Sequence, residues 1–279
     1  MNIDEHRNHG GEDHDGGLAA DLPMLMQRRR VLQVIGGGTL IALVGGAAKL
    51  AGASAPPDDT SAAAPTDATG VCSVIPEETA GPYPGDGSNG PNVLTEADVV
   101  RRDITASVGE STTVAEGIPL AITLLVTDTT TACAPLEGAA VYLWHCDREG
   151  RYSMYSEGVE NENYLRGVQQ ADADGKIVFD SVFPGAYRGR WPHIHFEVYQ
   201  TLDDAVGGDE PIATSQIALP EAVCETVYAT EGYQDSVPNL AATPLAQDNV
   251  FSDDGGASQL ATATGDVDAG IAIELAVGV

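Results

Sequence analysis

Apolar residues fall into six short runs separated by clusters of Gly, Pro, Asp and Asn. The runs are Pro119–Thr127 (PLAITLLVT), Gly138–His145 (GAAVYLWH), Lys176–Val182 (KIVFDSV), His193–Tyr199 (HIHFEVY), Ile212–Leu219 and Gly270–Val277 (GIAIELAV). Each is rich in β-branched residues and partly alternates apolar with polar positions, the pattern of strands bounded by turns. Beyond residue 70, only Thr95–Arg102 has a spacing that allows a short helix. Many short strands with turn chemistry between them predict an all-β fold: a β-sandwich of mostly antiparallel strands with long connecting loops.

The N-terminal pattern is different. Gln27-Arg28-Arg29-Arg30-Val31-Leu32-Gln33 has the twin-arginine form, and a Gly- and Ala-rich apolar stretch follows from Val34 to Ala53, interrupted by Lys49. It closes on Ala51-Gly52-Ala53, a small-x-small site of the kind signal peptidase accepts. Residues 1–53 are therefore read as a twin-arginine signal peptide, and His6, His9 and His14 as part of its polar leader. Residues 54–70 (SAPPDDTSAAAPTDATG) have the composition of a disordered linker. Residues 71–279 form the expected domain. Export to the periplasm, cell envelope or exterior follows, with no stable membrane insertion after cleavage.

Charge narrows the partners. The formal net charge is −29, and residues 54–279 hold 36 acidic against 8 basic side chains. Nucleic acid, whose binding needs Lys and Arg on phosphates, is excluded as a partner. The four cysteines, Cys72, Cys133, Cys146 and Cys224, all lie in the exported part. An even number in an oxidising compartment predicts at least one and up to two disulfides, with three pairings open.

The candidate chemistry clusters. His193-Ile194-His195 puts two imidazoles on one face of a strand, about 7 Å apart at the backbone. Tyr187 lies six residues upstream in Phe183-Pro184-Gly185-Ala186-Tyr187, flanked by Arg188 and Arg190, and Tyr152 follows Gly150-Arg151 just after a strand. Two phenolates with two imidazoles form a hard, strongly donating set that suits ferric iron better than zinc or copper. A cupin-like site would need a further histidine downstream, and none follows His195.

These segments, with Glu78-Thr79-Ala80-Gly81-Pro82-Tyr83, Val141-Tyr142-Leu143-Trp144 and Arg190-Trp191-Pro192-His193-Ile194-His195, resemble the intradiol ring-cleavage dioxygenases, the catechol and protocatechuate 3,4-dioxygenase group, in an exported twin-arginine branch. The resemblance spans about Cys72 to Tyr228. It implies a non-haem Fe3+ cofactor held by Tyr152, Tyr187, His193 and His195, with Tyr155 and Tyr164 as competitors for the first place. It implies catalytic roles for Tyr187, as the ligand that leaves and takes a proton, and for Arg190, beside the bound ring. Gln216, Thr79 and Tyr83 would join Arg190 in binding substrate. The expected partners are a small aromatic diol and O2, and the product a cis,cis-muconate-type diacid. Neither the substrate nor the oligomeric state carries over. The competing reading is a secreted β-sandwich binding module that keeps a metal for stability and cleaves nothing.

Overall fold

The structure, a computed structural model, describes residues 72–279; the signal-peptide and linker assignments lie outside the described residues. Two sheets form a β-sandwich. The first is built on β1 (Pro119–Asp128), whose alternating pattern turns Leu120, Ile122, Leu124 and Val126 inward. One edge of β1 pairs antiparallel with β5 (Lys176–Val182) and, at its end, with β2 (Ala134–Pro135). The other edge runs parallel to β9 (Gly270–Gly278), which β8 (Thr262–Asp266) flanks. The second sheet is antiparallel throughout, in the order β4 (Arg166–Gln170), β3 (Ala140–Trp144), β6 (His193–Tyr199) and β7 (Ala213–Ala218).

The inner faces of the two sheets share one core, in which Ile122, Phe179 and Ile273 meet Leu143, Phe196 and Ile217. Each such side chain, fully buried, contributes about 1.5–3 kcal/mol through removal of apolar surface from water. The second sheet is also covered on its outer face, where Val93, Leu94 and Tyr152 close over Tyr142 and Trp144. Polar side chains on that face are therefore sealed in: His193, His195, Glu197, Thr214 and Gln216 are each at most 3% exposed. Burial of so many polar groups costs free energy unless they are bonded to one another or to a ligand. The fold thus reserves one covered sheet face for chemistry.

The six expected strands are all present, with bounds within two residues. The expected helix at Thr95–Arg102 is not. Its backbone pairs instead with the β4 edge, where Arg101 N–H donates to the Val168 carbonyl and Val168 N–H to the Val99 carbonyl. Those bonds outcompete a helix too short to hold itself together. Three strands were not legible: β2 is only two residues long, and β4 (RGVQQ) and β8 (TATGD) are edge strands of largely polar sequence. Three short helices also appear, α1 (Leu202–Gly207), α2 (Glu221–Tyr228) and α3 (Ser236–Ala242). Of the cysteines, Cys72 and Cys133 form a disulfide across 61 residues, with their Cα atoms 5.6 Å apart, whereas Cys146 and Cys224 are buried free thiols. Among the described residues no helix is long and apolar enough to cross a membrane.

Candidate metal and substrate site

Strand register assembles the first part of the site. On β6, His193 and His195 point outward while Ile194 and Phe196 enter the sandwich core. His195 sits opposite Trp144 of β3 on one side and Gln216 of β7 on the other. The two imidazoles bring their Nε2 atoms to 3.1 Å of each other. His193 Nδ1 contacts the Trp191 carbonyl, which can only accept, so that nitrogen carries the proton and Nε2 offers a lone pair toward the site.

Two loops deliver the phenols. Tyr187 Oη lies 3.1 Å from His193 Nε2 and 3.5 Å from Tyr152 Oη. Tyr152 follows a tight turn tied by Asp147, whose carboxylate accepts from the Glu149 and Arg151 amides and pairs with the Arg151 guanidinium at 2.8 Å. This loop meets the turn before Tyr187 at a glycine contact. A Cβ on Gly185 would fall 2.4 Å from the Arg148 carbonyl oxygen, and one on Gly150 would fall 3.1 Å from Tyr187 Cβ. Side chains at either position would push the two tyrosines apart. Tyr155 and Tyr164 are engaged elsewhere: Tyr155 Oη accepts from Gly85 N–H and donates to the Asn89 carbonyl, and Tyr164 Oη donates to Asp147. Tyr152, Tyr187, His193 and His195 therefore converge, and the two competing tyrosines do not join them.

Burial sets the protonation of these groups. It holds both histidines well below their ordinary pKa, helped for His193 by the charge of Arg190 and for His195 by His193, so both are neutral and able to ligate. Burial, and then the neighbouring Tyr187, pushes the Tyr152 phenol well above its usual range. A phenolate at this position needs a strong positive charge beside it.

The residues expected on the substrate side lie next to the histidines. Arg190 is 2% exposed; its Nη2 donates to Gln216 Oε1 at 2.7 Å and its Nη1 lies 3.4 Å from His193 Nε2. Gln216 in turn donates to the Thr79 carbonyl at 2.8 Å, so Thr79 contributes its backbone, while its hydroxyl accepts from Gly81 N–H. Tyr83 packs its ring 5.1 Å from that of Tyr152. Arg188, by contrast, is exposed.

Comparison with known proteins shows what the chain is similar to. A family described as Dioxygenase matches residues 89–196. The fold is similar to that of an intradiol ring-cleavage dioxygenase from Tetranychus urticae, at 25% identity and a TM-score of 0.57, over 74% of this chain and 94% of that one. A second dioxygenase structure agrees at 25% identity and a TM-score of 0.58, with the same coverage. In fold, and over residues 89–196 in sequence, the chain is similar to the intradiol ring-cleavage dioxygenases. Among curated proteins, a chlorocatechol 1,2-dioxygenase from Rhodococcus opacus is 35% identical over 57 residues, which is 20% of this chain and spans about a fifth (22%) of that relative's length.

Three residues of this site escaped sequence reasoning. Trp144 stacks on His195, ring centroids 5.0 Å apart and planes 6° from parallel. Arg166, fully buried, donates to the carbonyls of Tyr83, Pro84 and Ser153 and so ties the Tyr83 loop to the residue after Tyr152. Asp248 pairs with Arg190 Nε at 2.9 Å. Trp144 lies in a recognisable segment, but Arg166 sits on an edge strand that was not legible, and Asp248 is 58 residues from its partner, so only the fold brings them to the site.

Proposed function

We propose that this protein is an intradiol dioxygenase, a non-haem ferric enzyme that cleaves a catechol-type ring between its two hydroxylated carbons. Both atoms of O2 would enter a cis,cis-muconate-type diacid. The observation carrying the proposal is the convergence of two neutral imidazoles and two phenols on one covered sheet face. Among the described residues no three His, Cys, Asp or Glu side chains form a metal site, so an ion here must draw on the tyrosines.

The residues present fit ferric iron. His195 Nδ1 is buried without a hydrogen-bond partner while its Nε2 faces the lone pair of His193. Either tautomer of His195 thus leaves one nitrogen unsatisfied or sets two lone pairs against each other, and a cation accepted by both Nε2 atoms removes the second defect. Their 3.1 Å spacing would let both Nε2 lone pairs bind one ion. Tyr152, Tyr187, His193 and His195 would hold the iron, which when bound would favour phenolate and catecholate over their protonated forms and ready the ring for O2.

The protein groups supply the rest. Tyr187 is the most exposed of the four ligands, the other three being at most 3% exposed, so its Oη is the one placed to accept the proton of an arriving catechol. Arg190 holds a fixed positive charge beside His193, where a bound ring would carry negative charge, and reorganises nothing to do so. The Thr79 backbone, fastened to Gln216, and Tyr83, packed on Tyr152, would wall that ring. Export completes the proposal: Arg28-Arg29 and the small-residue cleavage site address the domain to an oxidising compartment, with which the Cys72–Cys133 disulfide agrees.

Protein purified without added metal should be coloured by tyrosinate-to-iron charge transfer and should take up oxygen with catechols. A Tyr152→Phe, Tyr187→Phe double variant should lose the band. If that double variant keeps the wild-type band, the ligand set is wrong; if a coloured protein consumes no oxygen with any catechol, ring cleavage is wrong.

A further inference from the structure

We infer that Asp248 is the positioning residue of the site: it fixes the guanidinium of Arg190 in the one orientation that presents Nη1 to the His193 face. The inference rests on the proposed ring-cleavage reading for its consequence, although not for its geometry.

Asp248 is 0% exposed and comes from the segment after α3, far from β6 in the chain. Its Oδ2 accepts from Arg190 Nε at 2.9 Å and from Trp191 N–H at 2.7 Å. Its Oδ1 accepts from the Val250 and Phe251 amides at 2.9 and 3.2 Å and lies 3.4 Å from Arg190 Nη2. The amide bonds lock the carboxylate, and the carboxylate locks the Nε–Nη2 edge of Arg190. Gln216 takes Nη2 from the other side. Only one rotamer of Arg190 satisfies both partners, and in it Nη1 is the nitrogen directed at the site.

The segment bearing Asp248 is held by packing, since Val250 and Phe251 close against Trp191 and Ala218. The chain after α3 is thereby part of the site, although it contributes no group to the metal or the ring. An arginine with a long, flexible stem loses much rotamer freedom when ordered. Ordering it in advance, before substrate arrives, removes that cost from the binding step. The buried pair also shows which loss matters: removing the carboxylate takes away the countercharge at the Nε edge and with it the bonds that set the orientation of the guanidinium.

The test pairs a direct readout with a functional one. In protein labelled with 15N-arginine, the Arg190 Nε–H should exchange with solvent at least 100-fold more slowly than an exposed arginine. Asp248→Asn keeps an oxygen for the Val250 and Phe251 amides, so the fold should persist, but the protection of Nε–H should be lost. In iron-loaded protein under nitrogen, catechol should bind Asp248→Asn at least 10-fold more weakly than wild type. In an Arg190→Gln background, Asp248→Asn should add nothing further, because Asp248 acts only through Arg190. Should Asp248→Asn unfold, Asp248→Glu serves as the second variant, with partial recovery of both readouts expected. Retained Nε–H protection in Asp248→Asn, or a full additional loss of catechol binding in the Arg190→Gln background, overturns the inference. Loss of protection in a protein that binds no catechol in any form upholds the positioning and refutes the ring-cleavage reading instead.

Discussion

Replacing Glu78 by Gln removes a carboxyl that the fold holds against its preference for charge. Glu78 is 8% exposed, next to Thr79 at the edge of the site. Burial first, and then the charges of Asp253 and Asp254, raise its pKa from 4.5 to about 7, against a hydrogen bond from Gln259 and the charge of Arg190. The folded state therefore binds a proton that the unfolded chain releases. Stability from this group is complete below 4.5 and is lost as pH rises through about 7. Between pH 5 and pH 8 the loss works out at about 2.5 kcal/mol, and at about 2 kcal/mol once residual solvent contact at the carboxyl edge is allowed for. Gln is neutral throughout, so the stability of wild type relative to Glu78→Gln should fall by that amount over the same range. In a domain of this size the shift is about 4–8 °C in Tm. Urea unfolding of both proteins at the two pH values, at one ionic strength, cancels the many other carboxylates. A wild-type-minus-variant difference that stays constant to within about 0.5 kcal/mol would refute the reasoning.

Two other predictions follow from the backbone. Gly81 has φ +73° and a Cβ there would stand 3.2 Å from His195 Cε1, so Gly81→Ala should cost about 1–2 kcal/mol and displace the imidazole. Iron should then leave several-fold faster under chelator challenge, and an unchanged loss rate would show that the loop does not brace His195. Replacing Cys72 and Cys133 by Ser opens a loop of 61 residues and should cost about 4 kcal/mol by chain entropy, read as a lower urea midpoint. A midpoint equal to that of unreduced wild type would mean that the bridge constrains nothing.

Sequence revealed the fold wherever burial is one-sided or complete. β1 alternates and β6 is apolar on its inner face, so both were legible with their ends. β4 and β8 were not, because an edge strand owes its conformation to a neighbour's hydrogen bonds rather than to its own side chains. The same holds for Thr95–Arg102, whose local spacing favoured a helix and whose amides were claimed by Val168. At the site, His193, His195, Tyr187 and Arg190 lie within nine residues, and that proximity is visible in the chain. Asp248 and Arg166 carry no local signal: one is an ordinary acidic residue in an acidic chain, the other an arginine on an edge strand. Their roles exist only after β-pairing and loop packing have placed them.

The contrast between surface and interior bears on how such a site would work. The chain carries a formal charge of −29, yet the site is bordered by two buried guanidiniums, Arg166 bonded to neutral oxygens and Arg190 to one carboxylate. An acidic exterior repels anions at long range. A catechol, whose hydroxyls ionise near the phenol range of about 10, reaches such a surface neutral and meets no such barrier. On the proposed reading its ionisation would then be a local event, driven by the fixed positive charge within and by Tyr187 as proton acceptor. On the proposed reaction the product is a diacid, fully ionised at neutral pH, and the field that ignored the substrate favours its departure. Fixed charge inside and opposite charge outside thus act on different steps, and neither weakens the other because the covered sheet face separates them.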